Sequence, residues 1–174
     1  MIVIAWVVEA TWPACVDAVR TYAPGDADIV LLHVTGHDVP GTAHGAYAGL
    51  LGRAHPGRDP GTAMEHLAAA SAEELLAAAT ARLGRPCAMR ERSGRTEREV
   101  VAEAEGADLL VLARDGDRSH LGPRSLGPAS RFVVDHAPCP VLLVWPGPGP
   151  GPATAPAPGT ATVPPPPPPP EHHR

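Results

Sequence analysis

The chain contains no lysine, no asparagine and no glutamine among its 174 residues. Without lysine there is neither a P-loop with its phosphate-binding amine nor Schiff-base chemistry on a side chain. The three absences stand beside an abundance of Ala, Gly, Pro and Arg and read as the drift of a GC-rich gene, so none of them singly carries functional weight. Cysteine is sparse: Cys15, Cys87 and Cys139 are odd in number, far apart, and each in or beside an apolar segment. That usage fits buried, inert thiols in a reducing compartment rather than a disulfide frame, a redox pair or a metal site. No apolar run approaches the roughly 20 residues of a membrane helix. The opening Met-Ile-Val-Ile-Ala-Trp-Val-Val has neither a basic leader nor a cleavage site, so the expected location is cytoplasmic. A net charge of −5 gives a field that draws neither nucleic acid nor an anionic membrane. Signatures of catalysis are missing too. No Ser, Cys or Thr stands in a nucleophile elbow, no G-x-S-x-G occurs, and no carboxylate pair is set in an apolar segment. The expectation is a protein that is not an enzyme.

Apolar residues make up 44% of the chain, ample for one hydrophobic core. The stretch from Gly106 to Pro146 is the most informative. Asp108 to Ala113 (DLLVLA) is an apolar run of strand length, suited to a strand covered on both faces. A loop with Gly116, Gly122 and Gly127 follows. Gly127-Pro128 then opens a helix in which Ala129, Phe132, Val133 and His136 recur at helical spacing. Ala137-Pro138-Cys139-Pro140 breaks it, and Val141 to Trp145 (VLLVW) is a second buried strand. A glycine loop that enters a helix after a buried strand suits phosphate, because free N–H groups and the helix dipole point at the anion.

The remainder follows the same alternation. Ile2 to Val8 is a strand, Thr11 an N-cap, and Cys15, Val16, Val19 and Tyr22 one helix face. Asp28 to Val34 is the second strand. Gly36 to Gly61 is loop-like, with at most a short helix at Ala46 to Arg53; its His37, His44 and His55 lack zinc-ligand spacing and read as solvated. Thr62-x-x-Glu65 is a capping box for a long helix to Leu83, with Met64, Leu67, Ser71, Leu75, Ala78 and Leu83 marking its apolar side. Pro86 to Arg92 alternates Cys87 and Met89 with Arg90 and Arg92, as an edge strand does. Thr96-x-x-Glu99 caps a helix whose Val100, Val101 and Ala104 face inward. Strand and helix alternate four times before a fifth strand: an α/β fold, doubly wound, with a five-stranded parallel sheet and helices on both faces.

The run Ser130-Arg131-Phe132-Val133-Val134-Asp135-His136-Ala137-Pro138-Cys139-Pro140-Val141-Leu142-Leu143-Val144, with the Leu32-His33-Val34 ending of the second strand, resembles the universal stress protein family. The resemblance implies the strand order 3-2-1-4-5, with a ligand crevice where the ends of the first and fourth strands meet. It implies a nucleotide held by a loop written G-x2-G-x9-G-(S/T), and the positions that carry this over are Val34, Ala113, Gly116, Arg118, Gly127 and Ser130. Ala113 stands where the first glycine belongs, the spacing from Gly116 to Gly127 is one residue too long, and Pro128 replaces the Ser or Thr. Where the family has V-D-G-S after the first strand, this chain has Trp6, Val7, Val8 and Glu9. The implied cofactor, ATP with magnesium, is accordingly expected to bind weakly or not at all. No metal site is expected. The implied partner is a second copy, paired antiparallel through the fifth strand at Val141, Leu143 and Trp145. Two functions stay open: a non-enzymatic stress-response or signalling module acting as a dimer, and an ATP-binding member with slow hydrolysis or nucleotide sensing. Arg92, Arg95, Arg98, Arg114, Arg118 and Arg124 gather after the third and fourth strands. As surface arginines they are expected to pair with Glu91, Glu97, Asp115 and Asp117.

The domain spans residues 1–146. From 147 to 174 the chain is rich in Pro, Gly and Ala, with Pro164 to Pro170 unbroken, and reads as a disordered tail. A solvated tail is favoured over one docked in an aromatic groove. Deleting Gly147 to Arg174 is therefore expected to leave the melting temperature almost unchanged, and a drop of many degrees in a thermal scan would show that it packs on the domain.

Overall fold

The computed structural model describes residues 1–36, 60–117 and 123–147, with the side chains of 60–65 and 123 outside that description. In order come β1 (Ile2–Trp6), α1 (Trp12–Tyr22), β2 (Asp28–Gly36), α2 (Pro60–Leu83), β3 (Ala88–Gly94), α3 (Thr96–Glu103), β4 (Leu109–Ala113), a 3-10 turn (Pro123–Ser125), α4 (Pro128–His136) and β5 (Val141–Val144). The strands form one parallel sheet in the order β3-β2-β1-β4-β5. The short helix at Ala46 to Arg53, the three loop histidines, the Thr62/Glu65 capping contact, Arg118 and the tail from 148 onward lie outside the described residues.

The uninterrupted apolar runs are explained by two covered faces. Odd residues of β1, Val3 and Ala5, join Ile29, Leu31 and Val111 in a core roofed by α1 and α2. Even residues, Ile4 and Trp6, join Val30, Leu32, Leu110 and Leu112 beneath Val100 of α3 and Val133 of α4. Each fully buried Leu or Val contributes about 1.5–3 kcal/mol, so a polar residue at any of these positions forfeits that and leaves an unpaired group behind.

Several local expectations are corrected. Leu83 is buried as expected, but the other buried positions described in α2, Ala72, Leu76 and Ala79, lie one residue on from the expected Ser71, Leu75 and Ala78, and Leu67 is 75% exposed. In an Ala-rich helix a one-residue rotation changes the apolar content of a face very little. The choice falls to the packing against α1, which small Ala72 and Ala79 allow to be close. Thr11 does occupy the N-cap of α1, but its side chain makes no capping bond. At α3 the N-cap is Arg95, not Thr96, and again no side-chain cap forms. β3 runs two residues later than expected, but it is an edge strand as expected, with Met89 58% exposed.

Arg90 and Arg92 turn instead to Glu103, at the end of α3. Arg90 Nη1 donates to Glu103 Oε2 at 2.6 Å and Arg92 Nε donates to Oε1. Glu103 is 11% exposed. Burial pushes its carboxyl up, and the two guanidinium hydrogen bonds more than reverse this, holding it below its ordinary 4.5. A carboxyl depressed in the folded state stabilises at pH above its unfolded value, and that contribution is lost as pH falls through the lower folded value. Glu103→Gln is expected to cost about 1–2 kcal/mol at neutral pH. That corresponds to about 3–8 °C in melting temperature. The loss should shrink as melts are taken toward pH 3; a variant that melts with the parent at pH 7 refutes the link between β3 and α3.

Cys15 is fully buried, and burial, offset in part by a backbone hydrogen bond involving Ala113, pushes its thiol up to about 12. Cys87 and Cys139 are half-buried and all three are free. Mass spectrometry after maleimide treatment of the native protein is expected to find Cys15 unlabelled until denaturant is added.

Candidate functional site

In an open parallel sheet, ligands sit beyond the carboxyl ends of the strands where strand order reverses, here between β1 and β4. The chain leaving β1 has three of its backbone groups committed. Val7 N–H donates to the Leu32 carbonyl at 2.8 Å, and the Val8 carbonyl accepts from Thr11 and Trp12. His33 Nδ1 lies 2.9 Å from the Val7 carbonyl, which fixes that ring nitrogen as the donor. Trp6 is buried and Val8 packs beside it on the same core. Glu9 accepts from Ser71 of α2 at 3.3 Å. At the end of the first strand Trp6, Val7 and Val8 thus present apolar surface, with the Val7 N–H and the Val7 and Val8 carbonyls bonded, and Glu9 adds an exposed carboxylate.

Across the crevice, the loop after β4 closes on itself. Gly116 N–H donates to the Ser125 carbonyl at 3.1 Å, and Asp117 N–H to the Arg124 carbonyl at 2.8 Å. A Cβ on Gly116 would collide with the Arg124 carbonyl and the backbone of Ser125 and Leu126, so only glycine permits this approach. Arg114 Nη1 donates to the hydroxyl of the buried Ser125, and the guanidinium lies 4.8 Å from the Trp145 ring centroid. Its Nε is buried with no hydrogen-bond partner among the described residues.

The loop ends at the N-terminus of α4, where a phosphate would be expected. Gly127 is the N-cap and Pro128 the first helical residue. The Gly127 N–H donates to Asp115 Oδ1 at 2.8 Å, and the same carboxylate fills the space a Cβ on Gly127 would need. Of the four N–H groups a helix normally leaves open in its first turn, the first is taken by the protein's own carboxylate and the second is absent in proline. Those of Ala129 and Ser130 remain, since Arg131 N–H already bonds the Gly127 carbonyl.

The carried-over positions distribute as follows. Gly116 and Gly127 are brought together, with Asp115 between them. Ser130 is 1% exposed within α4. Val34 and Ala113 are buried on opposite faces of the sheet, in different cores. Arg118 lies outside the described residues. Of the cationic rim, Arg95 pairs with Glu97 at 3.1 Å as expected, whereas Arg92 takes Glu103 rather than Glu91, and Asp115 takes a backbone N–H. Asp115 carries no motif and is marked only by its long-range partner, whereas His33 belongs to the Leu32-His33-Val34 ending, in which nothing local points to its bond with Val7. Among the described residues no cluster of three His, Cys, Asp or Glu side chains is placed to hold a metal, and no helix is long and apolar enough to cross a membrane.

The fold is shared with known structures. The hypothetical protein MJ0577 superposes with a TM-score of 0.61 at 15% identity, over 85% of this chain and 97% of that one. A universal stress protein in complex with cAMP gives 0.55 at 17% identity, over 84% and 98%. The universal stress protein UspA from Lactobacillus plantarum gives 0.56 at 18% identity, over 83% and 97%. No curated protein sequence matches significantly. The sequence pattern of the Universal stress protein family matches residues 8–144, spanning four of the five strands whole and both sides of the crevice, and the chain belongs to that family.

Proposed function

We propose that this chain is a non-enzymatic stress-response or signalling module, cytoplasmic and dimeric, whose nucleotide site binds ATP weakly or not at all. The observation that carries this reading is the Asp115 carboxylate on the Gly127 N–H, directly ahead of Pro128. A phosphate arriving there meets a negative charge in place of a donor. It also lacks the N–H and hydroxyl that a Ser at position 128 supplies. Charge-assisted hydrogen bonds of this kind stabilise by about 1.5–3 kcal/mol each. Two of them amount to roughly two to four decades in affinity. The dimer rests on β5, whose outer edge has no neighbour within the sheet.

The alternative, an ATP-binding member with slow hydrolysis or nucleotide sensing, draws support from the relative in complex with cAMP and from the exposed Arg124 on the loop. Calorimetry with ATP and magnesium separates the two. The expected trace shows no saturable heat below about millimolar nucleotide. A micromolar site, or nucleotide carried through a non-denaturing purification and seen by mass spectrometry, overturns the first reading in favour of the second.

A further inference from the structure

A slot of about 300 Å³ lies between α1 and the exit of β5. It is lined by Ala14 and Ala18, one helical turn apart, by Tyr22 one turn further on, and by Trp145 and Gly147. Tyr22 is 69% exposed, an aromatic ring that the core does not use. Trp145 is held in place from its other partner, the Arg114 guanidinium. The polar groups that also line the slot are already bonded: Thr21 Oγ1 donates to the Asp17 carbonyl at 2.8 Å, and the Asp17 carboxylate is gripped by Arg82 at 2.9 and 2.7 Å. What remains on offer is methyl and ring surface, with the Tyr22 hydroxyl and the Trp145 indole N–H as donors that a peptide carbonyl can meet. Such a surface suits a segment that has few backbone donors of its own, and proline has none.

The chain carries that segment. At Gly147, φ is 113° and its N–H turns back to the Trp145 carbonyl at 3.0 Å, so the chain changes direction at the slot itself. Residues 148–174 follow, with Pro164–Pro170 at a remove of sixteen residues. Seven prolines in a polyproline II helix reach about 20 Å. Ala14 to Tyr22 spans about 12 Å of α1, leaving the rest for Trp145. The sixteen intervening residues hold five prolines and three glycines; their span lies between about 22 Å as a flexible coil and about 50 Å as extended polyproline II, a range that includes a return to the point the chain left.

We propose that Pro164–Pro170 docks in cis into the Tyr22–Trp145 slot of its own chain. Tethering supplies an effective concentration of about millimolar, so a shallow site of millimolar intrinsic affinity is occupied roughly half the time. That occupancy moves the melting temperature little, in keeping with the expected result of tail deletion, and the docking is read by local probes instead.

The test is nuclear magnetic resonance on the full chain, following the Trp145 indole N–H. Replacing the run (Pro164→Ser through Pro170→Ser) and, separately, Tyr22→Ala are each expected to move the Trp145 resonance, with Trp6 unmoved. Tyr22 is exposed, so the second variant keeps its core, and the unmoved Trp6 confirms this. A heptaproline peptide added to the serine variant is expected to return Trp145 toward its parental position, half-way at about millimolar peptide. A Trp145 resonance indifferent to the serine variant overturns the proposal. So does a parental Trp145 resonance that moves toward that of the serine variant on dilution, which would assign the slot to the tail of another copy, since docking in cis does not depend on concentration.

Discussion

Pro128→Ser combined with Asp115→Ala is expected to create a saturable site for ATP with magnesium where the parent has none. The serine restores an N–H and a hydroxyl at the first residue of α4. The alanine frees the Gly127 N–H from its 2.8 Å bond and removes a negative charge from the anion's place. Two to four decades in affinity are at stake from the serine alone if both bonds form. A parent constant in the millimolar range should therefore fall to tens of micromolar or below in calorimetry. Asp115→Asn is the informative control: its amide oxygen can still accept from Gly127, but the charge is gone, so its gain should be the smaller. A double variant that binds no better than the parent would mean that the bonded backbone at Val7 and Val8, rather than the loop, excludes the nucleotide.

Leu143→Lys is expected to turn the proposed dimer into a monomer, because it sets a charge against an apolar edge and, across a twofold axis, against its own copy. β5 pairs with β4 through the carbonyls of Pro140 and Val144, which accept from Leu110 and Arg114. Backbone groups in a strand point alternately to either side, so those of Val141 and Leu143 face the open edge. The side chains of Val141 and Leu143 also share one face, beside α4. Trp145 lies past the end of the strand, and its carbonyl is already taken by Gly147, which confines the free edge to two residues with outward donors. Leu143→Pro isolates the backbone contribution, because it deletes an outward N–H and none that serves β4. Sedimentation at tens of micromolar decides. If the parent itself sediments as a monomer there, edge pairing through β5 is wrong.

The uninterrupted runs DLLVLA and VLLVW, with helical spacing between them, determine a strand covered on both faces, and hence a parallel α/β sheet, from sequence alone. The physical reason is that a strand hydrophobic on every residue has no face to give to water. Gly127-Pro128 likewise marks where α4 starts, since φ and the missing N–H of proline are local properties. The loop's departures at Ala113 and Pro128 are legible in the same way. Other features depend on residues far apart in sequence. Which side of the Ala-rich α2 faces inward was settled by α1. Glu103 draws Arg90 and Arg92 away from nearer carboxylates because the β3 and α3 termini converge. His33 reaches the Val7 carbonyl only because β2 lies beside β1. The occupation of the anion's place by Asp115 is the sharpest case. Asp115 and Gly127 are twelve residues apart, and a close approach permitted by a glycine at 116, not any motif, brings that carboxylate to the Gly127 N–H.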